Sequence, residues 1–272
     1  MQSSYYDATG GMVTQFNRLQ VVTNNLANLN TNGFKRDDVV VGDFKRLFQE
    51  MRDELPLENH TKPAAKFLNR ALNNVPHIVE EYTNFDLGSM AKTGNPLDVA
   101  LKKNDLFLAV ETPSGVRYTR DGSLVVDSQG RLATKDGYPV LPQNYFEARN
   151  YITVPEGAEV MIDPNGGIHY KIQGQALNQE PDAQLLIAQF ENVKTLKKEG
   201  QNLYSNEEQP LLAADNGAVM QGYIEKSNIN PVLEMTALIE TSRLVGMYQK
   251  VMDTQMNDLN AEAINKLGNV RG

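Results

Sequence analysis

Few side chains in this sequence have the type and spacing that chemistry requires. The histidines are His60, His77 and His169, and none has a carboxylate or second histidine at the spacing of a helical metal site, so each is read as a solvated or packed imidazole. Asp163-Pro164-Asn165-Gly166-Gly167 resembles the start of a calcium loop. It lacks the later ligands and the closing glutamate, and is read as a hairpin turn. Thr119-Arg120-Asp121-Gly122 pairs a cation with an acid. Its strand–turn–strand setting makes Arg120 a structural ion-pair or cross-strand residue rather than a catalytic one. Met235, Met247, Met252 and Met256 recur at helical spacing, which suits adaptable packing better than metal binding. No glycine-rich loop precedes a lysine and a hydroxyl residue, and no serine sits in a nucleophile elbow. Cysteine is absent, so thiol chemistry, disulfides and thiolate metal sites are excluded. The sequence holds no catalytic constellation and calls for no cofactor or metal.

The informative residues lie at the two ends. Tyr5, Ala8, Met12, Gln15, Leu19, Val22, Leu26 and Leu29 are spaced alternately by three and four, a heptad seam with one polar seat. A helix over residues 4–29 would be about 39 Å long. Residues 1–30 carry only two charged side chains, Asp7 and Arg18, and the remaining polar positions are Gln, Ser, Thr and Asn. Water-facing helices usually carry Lys and Glu, whereas the buried centre of a protein interface is depleted in charge. This helix is therefore expected to meet protein on more than one side. The stretch 228–267 keeps a second seam through Met235, Leu238, Ser242, Val245, Gln249, Met252, Met256, Leu259 and Ala263, with Asn230 as N-cap and Pro231 in the first turn. Two seams at opposite ends of one chain predict that the ends pair.

The chain is long enough for one or two domains with a real core, and its net charge of −8 disfavours a nucleic-acid binder. No apolar run approaches the length of a membrane span, and the N-terminus lacks the basic region and apolar run of a cleaved secretory signal. Short amphipathic helices are expected at 43–54 and 63–72, and a strand at 75–82. From about residue 88 strand-sized runs follow one another: 97–101, 106–110, 116–119, 124–126, 131–134, 138–141, 151–154, 159–162, 168–172 and 184–190. Hairpin turns are expected between them at Ser114-Gly115, Asp121-Gly122, Ser128-Gln129-Gly130, Asp136-Gly137 and Asn165-Gly166-Gly167. Residues 192–222 read as polar and irregular. The predicted class is α+β: N- and C-terminal helices paired as an antiparallel coiled-coil-like layer, with a central, mostly antiparallel β domain. The expected divisions are 1–36 with 225–272 as the helical part, 37–87 with 200–224 as connecting segments, and 88–199 as the β-rich part.

Three blocks of residues resemble the flagellar axial family of bacteria, above all its basal-body rod proteins. The first is Asn24-Asn25-Leu26-Ala27-Asn28 followed by Asn30-Thr31-Asn32-Gly33-Phe34-Lys35-Arg36. The second is Thr93-Gly94-Asn95-Pro96-Leu97-Asp98-Val99-Ala100, then Tyr118-Thr119-Arg120-Asp121-Gly122 and Asp136-Gly137-Tyr138. The third is Gly222, Glu225, Ser227-Asn228, Asn230, Glu234-Met235 and Ile239-Glu240-Thr241. A smaller echo is Phe190-Glu191-Asn192 and Gly200-Gln201-Asn202-Leu203-Tyr204. The resemblance implies a non-enzymatic subunit, exported through the flagellar type III apparatus without signal cleavage. It implies stacking with copies of itself and with other axial subunits into the periplasmic rod that carries motor torque to hook and filament. It also implies an inner tube of terminal helices with the β domain outside, and surrounding ring proteins as further neighbours. Pro231-Val232 resembles the proximal rod subunits more, and Asn24-Asn25 with Phe34-Lys35-Arg36 the distal ones; the proximal rod is favoured. The assembly interface is then expected at Met12, Leu19, Val22, Asn24, Asn25, Leu26, Asn28 and Leu29, with Met235, Leu238, Val245, Met252, Met256 and Leu259. The alternative is an envelope-associated binding module with oligomerising ends. The absence of Trp and the few aromatics of the β segment disfavour sugar stacking in it.

Overall fold

The computed structural model describes residues 2–43, 76–172, 178–207, 209–210, 212–213 and 217–269. It divides into two compact units. One holds Met1–Leu26, Asp37–Tyr82 and Asn230–Gly272; the other holds Ala27–Arg36 and Thr83–Ile229. The class is α+β, as expected.

The first unit contains helix α1 (Gln2–Ala27), a ribbon of strands β1 (Asp37–Asp43) and β2 (Pro76–Thr83), and the long C-terminal helix, α3 (Pro231–Asn269). The start of α3 is as the sequence indicates. Asn230 caps it, its Oδ1 accepting the backbone N–H groups of Val232 at 3.0 Å and Leu233 at 3.3 Å. Pro231 occupies the first helical position, where its missing N–H costs nothing. α1 stops earlier than expected, at Ala27, and the chain turns through residues 28–33. The helices expected at 43–54 and 63–72 lie outside the described residues, except Asp43, which closes β1.

The second unit is built on strands β3 (Met90–Lys92), β4 (Val99–Leu101), β5 (Leu106–Thr112), β6 (Gly115–Thr119), β7 (Leu124–Val126) and β8 (Leu132–Thr134). After the short helix α2 (Tyr145–Ala148) come β9 (Glu159–Ile162), β10 (Gly167–Lys171), β11 (Ala183–Gln184), β12 (Ile187–Gln189), β13 (Lys197–Glu199), β14 (Leu203–Ser205), β15 (Leu212–Ala213), β16 (Val219–Gln221) and β17 (Tyr223–Glu225). A six-stranded sheet runs β13-β14-β6-β5-β12-β15, and a three-stranded one β11-β10-β9. Two-stranded pairs are β16-β4, β17-β3 and β7-β8. The pairings in this unit are antiparallel.

The unbroken apolar run of β5 has a direct cause. Successive side chains of a strand point to opposite faces, and this sheet is covered on both. Leu106, Leu108 and Val110 enter one core with Leu132, Ile152, Ile168 and Leu185. Phe107 and Ala109 enter a second with Phe85, Tyr118, Phe190 and Tyr204. There Phe107 makes edge contacts with Phe190 and Tyr204, at centroid separations of 5.6 and 5.5 Å. The Tyr145 hydroxyl donates to Glu111 Oε1 at 2.5 Å, and that of Tyr151 to Glu111 Oε2. Segments 138–141 and 151–154 make isolated bridges rather than strands, and 184–190 is split between β11 and β12. Within 192–222, read as irregular, β13–β16 form. Three-residue strands such as Lys197–Glu199 are too short to show an apolar alternation. Asp121-Gly122 is not a hairpin turn. The backbone passes so close to β4 that a Cβ on Gly122 would stand 1.6 Å from the Val99 carbonyl oxygen.

Replacing Phe107 by Ala should lower the stability of this unit by about 3–5 kcal/mol, whereas Val126→Ala, on the exposed side of β7, should change it by less than about 0.5 kcal/mol. Chemical denaturation followed by tyrosine fluorescence checks both.

Candidate assembly interface

The contacts between α1 and α3 run in opposite order along the two helices. Thr9 Oγ1 donates to Met252 Sδ at 3.5 Å. A Cβ on Gly11 would lie 2.6 Å from the ring of Tyr248. Asn25 Nδ2 reaches Glu234 Oε2 at 3.4 Å. Gly11 therefore lets the helices approach closely enough for an aromatic ring to lie on the backbone. A mid-helix glycine costs about 1 kcal/mol relative to alanine, which this packing offsets.

The line of contact overlaps the apolar seam without coinciding with it: Ala8, Gln15 and Val22 of the seam are buried with it, and Met252 takes part in it. On α1 the buried residues are Ala8, Gly11, Thr14, Gln15, Val22 and Asn25; on α3 they include Glu234 and Thr241. Gly11 and Asn25 each precede a seam residue, Met12 and Leu26. Glu234, Thr241 and Tyr248 likewise precede Met235, Ser242 and Gln249. One residue is about 100° around a helix, so both seams are turned partly away from the in-chain contact. Of the expected interface residues, Val22 and Asn25 are buried. Met12, Leu19, Leu26, Asn28, Leu29, Leu238, Val245 and Met252 are half-buried; Asn24, Met235 and Met256 are exposed. The side chain of Leu259 lies outside the described residues. Beyond the seams, Val232 and Ile239 are each 70 % exposed and Leu233 65 %, with Met247 and Val251 also open on α3 and Val13 and Phe16 on α1. Apolar side chains thus surround α3, the pattern of a helix covered on every side. Among the described residues no helix is long and apolar enough to cross a membrane.

Asn25 holds more than a seam. Its Nδ2 donates to the Asp37 carbonyl at 2.8 Å, and its Oδ1 accepts the Asp37 N–H at 3.0 Å. This side-chain amide thus pairs with both polar groups of one backbone residue, fixing the first residue of β1 against α1.

Within the second unit, the motif blocks converge on one carboxylate. Glu225 Oε1 accepts Lys35 Nζ at 2.7 Å and the Gly88 N–H at 2.9 Å. Glu225 Oε2 accepts Arg120 Nε at 2.8 Å and NH2 at 2.7 Å. Arg120 NH1 also donates to the carbonyls of Leu106 at 2.5 Å and Lys103 at 2.8 Å; Lys35 Nζ donates to that of Asp86 at 2.7 Å. Lys35 is 0 %, Glu225 1 % and Arg120 2 % exposed. The ion-pair role expected of Arg120 holds, with a partner about a hundred residues away. Two cations share one anion here. Burial first, and then the Arg120 charge, outweigh the pull of Glu225 and bring the Lys35 amine down to about 8. Sequence reasoning quoted Lys35 and Glu225 without pairing them. Neither lies in an apolar stretch, so no local signal marked them as buried. Gly11 and Glu234 carry no apolar signal, so the heptad pattern does not mark them as contact residues.

His169 lies half-buried on β10 with Nε2 3.7 Å from Asp163, whose Oδ1 accepts the N–H groups of Asn165 and Gly167 and so shapes the β9–β10 turn. Among the described residues no three His, Asp or Glu side chains cluster as metal ligands would.

Known proteins match these same regions. The profile described as "Flagella basal body rod protein" matches residues 6–35. That described as "Flagellar hook protein FlgE/F/G D1 domain" matches 103–170, and "Flagellar basal body rod FlgEFG protein C-terminal" matches 220–265. The flagellar basal-body rod protein FlgG of Buchnera aphidicola subsp. Schizaphis graminum is 31 % identical over 265 residues, covering 93 % of this chain and 96 % of its own. FlgF of Caulobacter vibrioides is 31 % identical over 278 residues, covering 99 % and 100 %. FlgG of Agrobacterium fabrum is 32 % identical over 256 residues, covering 91 % and 93 %.

Two outcomes follow from the geometry. Asn25→Ala removes both side-chain hydrogen bonds to the Asp37 backbone and should cost about 1–3 kcal/mol, read by thermal unfolding of the full chain. The second concerns pH. The Lys35 amine titrates near 8 in the folded chain and near its ordinary 10.5 when unfolded. Between those values the unfolded state holds the extra proton, so this group's contribution to stability rises with pH and is least below 8. The stability of the parent chain relative to Lys35→Met should therefore increase from pH 7.5 to pH 9.5, as measured by urea unfolding at each pH.

Proposed function

Because this chain belongs to the flagellar basal-body rod protein family, a family of structural proteins rather than enzymes, we propose that it is a rod subunit that stacks through the apolar faces of its two terminal helices. The observation that carries this reading is the exposed apolar surface around α3, together with the partly open seams on both helices. Burying such surface against neighbouring subunits is favourable by about 25 cal/mol per Å², less the cost of ordering the chain ends. The neighbours are further copies of this chain and other rod subunits.

In this reading α1 and α3 form an antiparallel, coiled-coil-like layer that becomes the inner tube. The opposite order of the Thr9–Met252, Gly11–Tyr248 and Asn25–Glu234 contacts supports it. Met12, Leu19, Leu26, Leu29, Leu238, Val245 and Met252 lie at the edge of the in-chain contact, where a neighbour would cover them, and Met235 and Met256 face outward to the next subunit. Asn24 and Asn28 border the same surface, Val22 and Asn25 support it from beneath, and Leu259 is included on its sequence spacing alone. Residues 1–36 and 225–272 supply this layer and the segments leading into it, 88–199 the outer β part, and 37–87 with 200–224 the connections. The subunit is exported through the flagellar type III apparatus without signal cleavage, and the assembled rod carries torque across the periplasm. The proximal position is favoured by Pro231-Val232; ring proteins are further neighbours.

A charge on the seam separates assembly from folding. Leu26→Asp should abolish rod formation, scored by electron microscopy of basal bodies and by loss of motility, while the purified chain keeps the circular dichroism of its β unit. Rods of normal length built from Leu26→Asp subunits would refute the seam as the stacking surface.

A further inference from the structure

Residues 27–36 leave α1 and pack as part of the β unit. Their fixings reach several separate parts of it. Gly33 N–H donates to the Glu225 carbonyl at 2.8 Å, and Arg36 N–H to Asn228 Oδ1 at 2.8 Å. The Arg36 carbonyl accepts the Asn84 N–H at 2.8 Å. Asn32 Nδ2 donates to Ser123 Oγ at 2.7 Å, and the Asn32 carbonyl accepts Asn202 Nδ2 at 3.0 Å. Lys198 Nζ donates to the Lys35 carbonyl at 2.8 Å and lies 3.7 Å from the centre of the Phe34 ring. Gly33 takes φ +67, and a Cβ there would stand 2.4 Å from the Arg120 carbonyl carbon, so only glycine fits between strap and loop.

The Lys35 ammonium makes this docking all-or-none. A half-inserted strap would strip water from the amine without giving it Glu225 and the Asp86 carbonyl, which is the costliest arrangement for a buried charge. Fully inserted, the amine has both, and Glu225 has all four of its donors. Intermediate positions are therefore penalised, and hydrogen-bonded networks of this kind act as units.

We propose that residues 27–36 are an interlock of the β unit: the Lys35–Glu225–Arg120 cluster closes only when this strap and the strand Tyr223–Glu225 are both seated, so the β unit reaches and leaves its native packing together with the strap. A chain whose N-terminal segment is engaged elsewhere would then hold its β unit incomplete. This inference stands on the cluster's geometry and does not depend on the rod reading.

Native-state hydrogen exchange of the full-length chain tests it. In an interlock, the amides of Gly33 and Arg36 open only with the whole unit, so their protection should lie within tenfold of that at Phe107–Val110 in β5. Protection at Gly33 and Arg36 more than tenfold weaker would mean that the strap lifts independently, and would overturn the proposal. The variant Lys35→Met keeps the Arg120–Glu225 pair and so should stay folded. In it the strap should open ahead of β5, with exchange at Gly33 and Arg36 more than tenfold faster than at Phe107–Val110. If strap and strand remain coupled in Lys35→Met, the ammonium is not the coupling element and the proposal fails.

Discussion

A buried carboxylate needs its full complement of donors, and in this chain Glu225 finds them on three separate segments. Lys35 arrives from the strap behind α1, Gly88 from the stretch preceding β3, and Arg120 from the end of β6. Removing one partner from such a group is far more damaging than never having built it, because the remaining charges stay where water cannot reach them. That requirement gathers residues distant in sequence into one unit. Near Arg120, Gly33 and Gly122 each allow a backbone approach that no side chain would permit. The second unit is a single packed body because its pieces meet at a charge that cannot be left half-satisfied.

The first unit follows a different rule. Its helices touch through small and polar residues, Gly11, Thr9 and Asn25 on one side and Tyr248 and Glu234 on the other. The apolar seams beside that line remain partly open. The in-chain contact and the open apolar surface thus share Ala8, Gln15, Val22 and Met252 and diverge at the remaining seam positions. Polar pairs such as Asn25–Glu234 set how the ends meet, and the open apolar positions add no directional term of their own.

The legible parts of the fold were those with a strong local signal. Asn230 and Pro231 announce the start of α3, and the run Leu106–Val110 announces a strand covered on both faces. Short strands escaped. Lys197–Glu199 and Leu203–Ser205 pair because the sheet recruits them, not because their composition demands it. Heptad spacing on both helices, and low charge on the first, set the expectation that they meet protein. What escaped was the part of the contact that lies one residue off the seam, at Gly11, Asn25, Glu234 and Thr241, since glycine and polar side chains at a close contact carry no hydrophobic signature. The Lys35–Glu225–Arg120 cluster was visible as three quoted motifs and invisible as one object, because pairing across a hundred and more residues leaves no mark in local sequence.

The edge of the six-stranded sheet has a consequence of its own. β13 ends that sheet, and its three residues are Lys197, Lys198 and Glu199. A short charged strand is a poor template for another chain's backbone. A protein with so much apolar helix in the open is under constant pressure to aggregate while it waits for neighbours. Blunting this sheet edge closes one route to fibrils, so that crowding leaves the helices as the preferred place to meet.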